Sequence, residues 1–179
     1  MILILRKIMF KVSLRFCNEY EKAAIYAKYL GVKFGKNVRI TKYANFGSEP
    51  YLITIGDDVT ITEGVTFHTH DGGVGVLRSR YPGIDVIKPV KIGNNVFIGF
   101  MVNIMPGVTI GNNVIIGAGS LVTKDVPNDV VIAGVPARVL KSLEEYEKKV
   151  LKEAIYIKNR DNKLKRKIEI LEFLYKSSR

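Results

Sequence analysis

The sequence predicts a mainly β protein, a parallel coil of short strands with helical segments at both ends. Three observations carry this. Residues 92–127 read in sixes as IGNNVF, IGFMVN, IMPGVT, IGNNVI, IGAGSL and VTKDVP, each led by Ile or Val. Looser copies of the pattern run back to Phe34. The two ends lack this period and place apolar residues at helical spacing instead.

Period six belongs to neither a helix nor an ordinary strand, whose side-chain periods are 3.6 and 2.0. A fixed repeat defines its own structural unit, here a short strand ending in a tight corner. The large first residue points inward, and Gly or Asn takes the positive-φ conformation of the corner without a Cβ clash. Three sixes close one triangular turn, and successive turns stack as parallel strands about 4.8 Å apart.

The chain opens with MILILRKIMFKVSLRF, in which Arg6 and Lys7 interrupt the apolar run and spoil it as a signal peptide. Lys7, Lys11 and Arg15 line one helix face, while Ile4, Ile8, Val12 and Phe16 line another. A basic amphipathic helix can lie on an anionic membrane, which would make residues 1–16 a peripheral contact. The plainer alternative packs it on its own protein or a neighbouring subunit. Glu19–Leu30 reads as a second helix stopped by Gly31, completing an N-terminal helical segment over 1–31.

From Phe34 the sixes FGKNVR and ITKYAN appear, and Phe46 begins a third. The next match, IGDDVT at Ile55, comes late, so extra residues bulge out over 48–53. ITEGVT and Phe67 follow, and then the period is lost until VIKPVK at Val86. The inserted loop, 71–85, holds several glycines with Arg78 and Arg80. A long excursion from a regular scaffold usually carries function. Both inserts must leave from corners, because the faces are hydrogen-bonded ladders. Counting first positions from Phe34 to Val122 makes slightly more than four turns, within a domain spanning 32–140. Strands end near Val131, with a loop over 133–138. Residues 141–179 form a helical tail with Leu143, Tyr146, Val150, Ala154 and Ile157 on one face and a second run over Leu164–Tyr175.

An apolar fraction of 47% is ample for a core, and a formal charge of +11 calls for an anionic partner. Phosphorylated cofactor, acidic polymer, nucleic acid and membrane surface all qualify. The tail holds 12 Lys/Arg against 7 Asp/Glu but has no aromatic-interleaved basic motif, so nucleic acid is not expected. A single cysteine, Cys17, excludes an internal disulfide framework and points to the reducing cytoplasm. No apolar run approaches the roughly 20 residues that span a bilayer.

Together with the sixes, the Gly-Ala-Gly-Ser-Leu-Val-Thr-Lys-Asp-Val-Pro run at 117–127 and Ala-Gly-Val-Pro-Ala-Arg at 133–138 carry a family resemblance. Residues 32–141 resemble the hexapeptide-repeat acyltransferases. Within them the chain is most like the galactoside/maltose O-acetyltransferases and the polysaccharide O-acetyltransferases of capsule or lipopolysaccharide synthesis. The resemblance implies a left-handed parallel β-helix, a handedness that periodicity does not supply and that departs from the usual right-handed crossover. It also implies an acetyl-CoA-dependent O-acetyltransferase whose acceptor is a sugar or polysaccharide precursor. Its quaternary form would be a homotrimer with active sites in the clefts between neighbouring prisms.

Acyl transfer to a hydroxyl needs a base that works near neutral pH, and imidazole suits this. Of the two histidines, His70 matches the catalytic Thr-His pair of the relatives, leaving His68 as the lesser candidate. Asp71 and Glu49 are candidates to orient it. Asn45 matches an asparagine that contacts the acceptor sugar, or else is a plain corner residue with positive φ; His68 and Arg78 join it as acceptor-side candidates. Asn45 closes its six whereas His70 lies four places into a later one, which sets them at different corners and asks for a neighbouring chain. Phe100 and Ala118, one coil apart in a column, match coenzyme A contacts, with Phe100 replacing a small polar residue. Thr123, Lys124, Arg138 and Lys141 match positions near the nucleotide, where cations suit phosphates. No metal is expected: the zinc carbonic anhydrases of this fold need three histidines, and the sequence has two. N-acetylation of an aminosugar, acetylation of a xenobiotic, and an inactive β-helical scaffold are the alternatives.

Overall fold

A computed structural model describes residues 2–176; Met1 and 177–179, the extremities of the two predicted helical segments, lie outside the described residues. The chain forms two compact units, one up to Leu143 and one from Glu144 onward.

In the first unit, helices α1 (Ile2–Phe16) and α2 (Glu21–Leu30) precede a coil of two- and three-residue strands. Its first face stacks β1 (Lys33–Phe34), β4 (Ile53–Ile55), β7 (Val90–Ile92) and β10 (Thr109–Ile110). The second stacks β2 (Arg39–Ile40), β5 (Thr60–Ile61), β8 (Val96–Ile98), β11 (Val114–Ile116) and β13 (Val130–Gly134). The third stacks β3 (Ala44–Asn45), β6 (Val65–Phe67), β9 (Asn103–Ile104) and β12 (Leu121–Val122). Consecutive strands change face and every pairing between coils is parallel.

The register is that of the sixes. Phe34 pairs with Ile55, Ile55 with Ile92, and Ile92 with Ile110, while Ile40, Ile61, Ile98, Ile116 and Ile132 form a second inward column. Nearly all are fully buried, each worth roughly 1.5–3 kcal/mol on removal from water. In the third column the Phe46 and Phe67 rings lie parallel, centroids 5.1 Å apart. Val86 departs from the expectation. It is not an inward first position; the 71–85 excursion runs on through it, and the core is regained at Val90. Its amphipathic neighbourhood imitates a six, but Val86 and Ile87 pair antiparallel with Asp71 and His70 instead.

Corner chemistry follows the expected choice of Gly or Asn at positive φ, with Asp joining them. At the first corner, between faces one and two, positive φ falls on Asn37, Asp58, Asn95 and Asn113 rather than on glycine. The preceding glycine serves close approach: a Cβ on Gly93 would sit 2.6 Å from the carbonyl oxygen of Gly111. Asn and Asp tolerate this backbone because their short side chains bond locally. They form a ladder here, Asn95 Nδ2 donating to Asn113 Oδ1 and Asn113 Nδ2 to Asp129 Oδ1, both at 2.8 Å.

The stack does not end in a loop at 133–138. β13 turns back through a cis Val135–Pro136 bond into β14 (Ala137–Ser142), an antiparallel strand on the second face. At the other end α2 closes the coil with Ala23 and Tyr26, the latter ring 4.8 Å from Phe46. The buried Lys22 ammonium donates to the carbonyls of Ile40 (3.0 Å) and Thr41 (2.9 Å), which the end of the coil leaves unpaired by a further strand. Gly31 at φ 81° ends α2 as expected from its place in the sequence. α1 packs on α2 through Phe10, whose ring lies 5.6 Å from Tyr26.

The second unit holds most of α3 (Leu143–Glu153) and all of α4 (Lys163–Lys176). There the Asn159 side chain beside Glu169 holds its carboxyl below the usual range. No helix among the described residues is long and apolar enough to cross a membrane.

Candidate active site

Both inserts leave the coil at the third corner, between faces three and one, on consecutive turns. The lower one ends in a short 3-10 turn at Pro50–Leu52, and the upper one opens with another at Gly72–Leu77. Glu49 lies three residues after Phe46 and His70 three after Phe67, and these two aromatics stack. The two side chains therefore share a column. His70 Nδ1 stands 3.3 Å from Glu49 Oε2.

Between them Thr69 is fully buried. Its hydroxyl donates to the same Glu49 oxygen at 2.7 Å, and the Glu49 amide donates back to Thr69 Oγ1 at 3.4 Å. Burial makes this hydroxyl an expensive one to leave unpaired, so it clamps the carboxylate. Glu49 is 19% exposed and His70 40%. With Nδ1–H given to the carboxylate, the imidazole keeps its acceptor lone pair at Nε2, on the side where Gly72 leaves room: a Cβ there would stand 4.0 Å away. An imidazole held this way can take a proton from a hydroxyl, and the carboxylate steadies the cation that results.

The insert fixes the backbone of this corner. Asp71 N donates to Val86 O at 2.9 Å and Lys88 N to Thr69 O at 2.8 Å. A cleft of about 350 Å³ remains, lined by His68, His70, Gly72, Lys88, Met105 and Pro106 among others.

The remaining sequence candidates stay out of the Glu49–His70 contact, although Asp71 and His68 line the same cleft. Asp71 does not meet His70; its carboxylate accepts from Gly73 N at 2.9 Å and starts the 3-10 turn. His68 Nε2 lies 3.1 Å from Asn103 Oδ1 on the third face, away from Glu49. Arg78 is drawn to Asp85 at 3.6 Å and to the Ile84 carbonyl at 3.3 Å, bracing the insert from within. Asn45 sits on β3 rather than at a corner, with extended backbone, and accepts from Gly47 N at 3.0 Å. Its positive-φ reading is thus replaced: Gly47, at φ 65°, makes that turn.

Phe100 and Ala118 do share a column, exposed at the second corner, where Gly119 N donates to Phe100 O at 2.7 Å. Thr123 and Lys124 follow β12 at the third corner, above His70, and are exposed. Arg138 and Lys141 belong to β14, Arg138 exposed and Lys141 half-buried. One chain therefore divides these positions between two corners and a strand. Sequence reasoning had Thr69 only as half of the Thr-His pair and did not see that its hydroxyl binds Glu49. The signal for Thr69 was its place in the inward-facing corner column between two candidates, a polar residue where the coil closes on itself.

Residues 89–124 match the family described as bacterial transferase hexapeptide (six repeats). Protein CapG of Staphylococcus aureus is 56% identical over 131 residues, covering 72% of this chain and 76% of CapG. The galactoside O-acetyltransferase of Escherichia coli (strain K12) is 43% identical over 136 residues, covering 73% of this chain and 64% of that one. Among solved structures, a galactoside acetyltransferase in complex with coenzyme A superposes with a TM-score of 0.61 at 34% identity, over 87% of this chain and 85% of that one.

Proposed function

The chain belongs to the hexapeptide-repeat acetyltransferases, whose strands wind as a left-handed parallel β-helix, and on that premise we propose that it carries an acetyl group from acetyl-CoA to a hydroxyl of a sugar or polysaccharide precursor, with His70 as general base. One observation supports this above the rest: the Glu49–His70 pair, clamped by Thr69, at the corner where both inserts open a cleft. In this reading Nε2 of His70 takes the acceptor proton as the hydroxyl oxygen attacks the thioester carbonyl. The tetrahedral intermediate then expels the coenzyme A thiolate, which recovers that proton from the imidazolium. Glu49 holds the tautomer throughout.

Asn45, His68 and Arg78 are placed on the acceptor side of this proposal. Phe100, Ala118, Thr123, Lys124, Arg138 and Lys141 are placed on the donor side, with the cations toward the nucleotide phosphates. The division of the donor positions between second and third corners favours a homotrimer, in which the second corner of one protomer faces the third corner of the next. The name of the coenzyme A complex supports the donor by similarity.

His70→Ala is expected to lower kcat by about 10²–10⁴-fold, the usual worth of a general base, while coenzyme A still binds by calorimetry. Turnover of acetyl-CoA is to be followed against a panel of sugars, nucleotide-sugars and capsule repeat units. Unchanged kcat in the alanine variant would remove His70 from the chemistry.

A further inference from the structure

Helix α1 presents an apolar face to solvent. Ile4, Leu5, Ile8, Met9, Val12 and Phe16 are between 50% and 82% exposed. At 3.6 residues per turn they fall within an arc of about 140°, opposite Phe10 and Leu14, which pack on the core. Lys11 and Lys7 lie about 20° and 60° beyond this arc on one side and Arg15 about 20° inside it, all exposed. Residues 2–16 contain four cations and no acidic residue.

We propose that this face docks the protein on an anionic bilayer surface. α1 lies in the plane of the interface, its six apolar side chains among the upper acyl chains and Lys7, Lys11 and Arg15 among headgroup phosphates. Charge selects this occupant. A second copy presenting the same face would set the three cations Lys7, Lys11 and Arg15 against three, with no acid on the helix between them, a repulsive pairing. Lys11 and Arg15 also line a cleft of about 780 Å³ with Tyr43 and with Lys42, which is paired with Glu63 at 2.7 Å. Tyr43, 56% exposed there, is the kind of amphipathic ring that settles at a membrane–water boundary. α1 is about 22 Å long at 1.5 Å per residue, which suits lying on a leaflet and not crossing it. The inference is independent of the acetyl-transfer reading.

Co-flotation of the full chain with phosphatidylcholine vesicles, and with vesicles containing 30% phosphatidylglycerol, tests it. At least tenfold more protein is expected on the anionic vesicles. The pair Ile8→Gln/Val12→Gln and the triple Lys7→Gln/Lys11→Gln/Arg15→Gln should each lose at least tenfold of that binding. The triple approaches a hundredfold at low salt, given the usual contribution of each surface cation. Both substitute exposed positions, so melting temperature and acetyl-CoA turnover should stay at wild-type values. Absence of flotation on anionic vesicles would overturn the proposal. So would binding that survives Ile8→Gln/Val12→Gln, which would assign it to the net charge of the whole chain. A wild-type assembly that ignores vesicles and falls apart in that same variant would give the face to another protein subunit instead.

Discussion

At the first corner of the coil, Asn95, Asn113 and Asp129 repeat the same contact from turn to turn, and Gly93 leaves no room for a Cβ. At the third corner, Glu49, Thr69 and His70 meet once, between two inserts that break the period. Both corners follow short stretches of the coil that carry a large inward residue. The difference is repetition. Where each turn copies the last, every polar side chain finds its twin above or below and is spent on stacking. Where inserts interrupt the copying, a carboxylate and an imidazole from consecutive turns are left to pair with each other beside a cleft. The proposed chemistry belongs to the second kind of corner.

The contrast can be broken from either side. Glu49→Gln should reduce kcat by about 100-fold, near 2.7 kcal/mol in the barrier, because Gln keeps the shape but not the charge that steadies an imidazolium. Steady-state kinetics should show KM for acetyl-CoA within twofold and thermal unfolding within a degree or two; an equal fall in melting temperature would make Glu49 merely structural. Gly93→Ala should do the reverse. Forcing a Cβ against Gly111 costs about 2 kcal/mol, roughly 5 °C in Tm for a chain of this size, while kcat per folded molecule holds.

Asn113→Ala should cost about the same, roughly 2 kcal/mol, by removing two rungs of the ladder at a residue with φ 56°; urea unfolding measures it. The smallest effect is expected from Asp71→Asn. Its carboxylate caps a turn and leaves His70 to Glu49, so kcat should change by less than about twofold across the pH range in which imidazole titrates. A collapse of activity there would transfer the orienting role to Asp71.

Much of this was legible in the residues. The inward columns through Ile40 and Phe34, the corner exits of both inserts and the helical ends follow from period, turn chemistry and apolar spacing. Other readings failed for identifiable reasons. VIKPVK has the apolar spacing of a six, yet its first residues pair with the insert's own outgoing strand, a long-range choice that no local pattern records. The 133–138 segment looks like a loop because Gly and Pro punctuate it, and they do form the turn; the strand after it gains its ladder only from β13.

By itself the sequence determined the coil, since inward size and corner sterics act within a few residues and recur every six. Only the tertiary structure decided which carboxylate serves the histidine. Asp71 is adjacent in the chain, but its own turn claims it through the Gly73 amide, whereas Glu49 arrives twenty-one residues earlier in sequence and one coil below in space. Buried Thr69 then holds Glu49 there, because a hydroxyl cut off from water must spend its proton on the nearest oxygen.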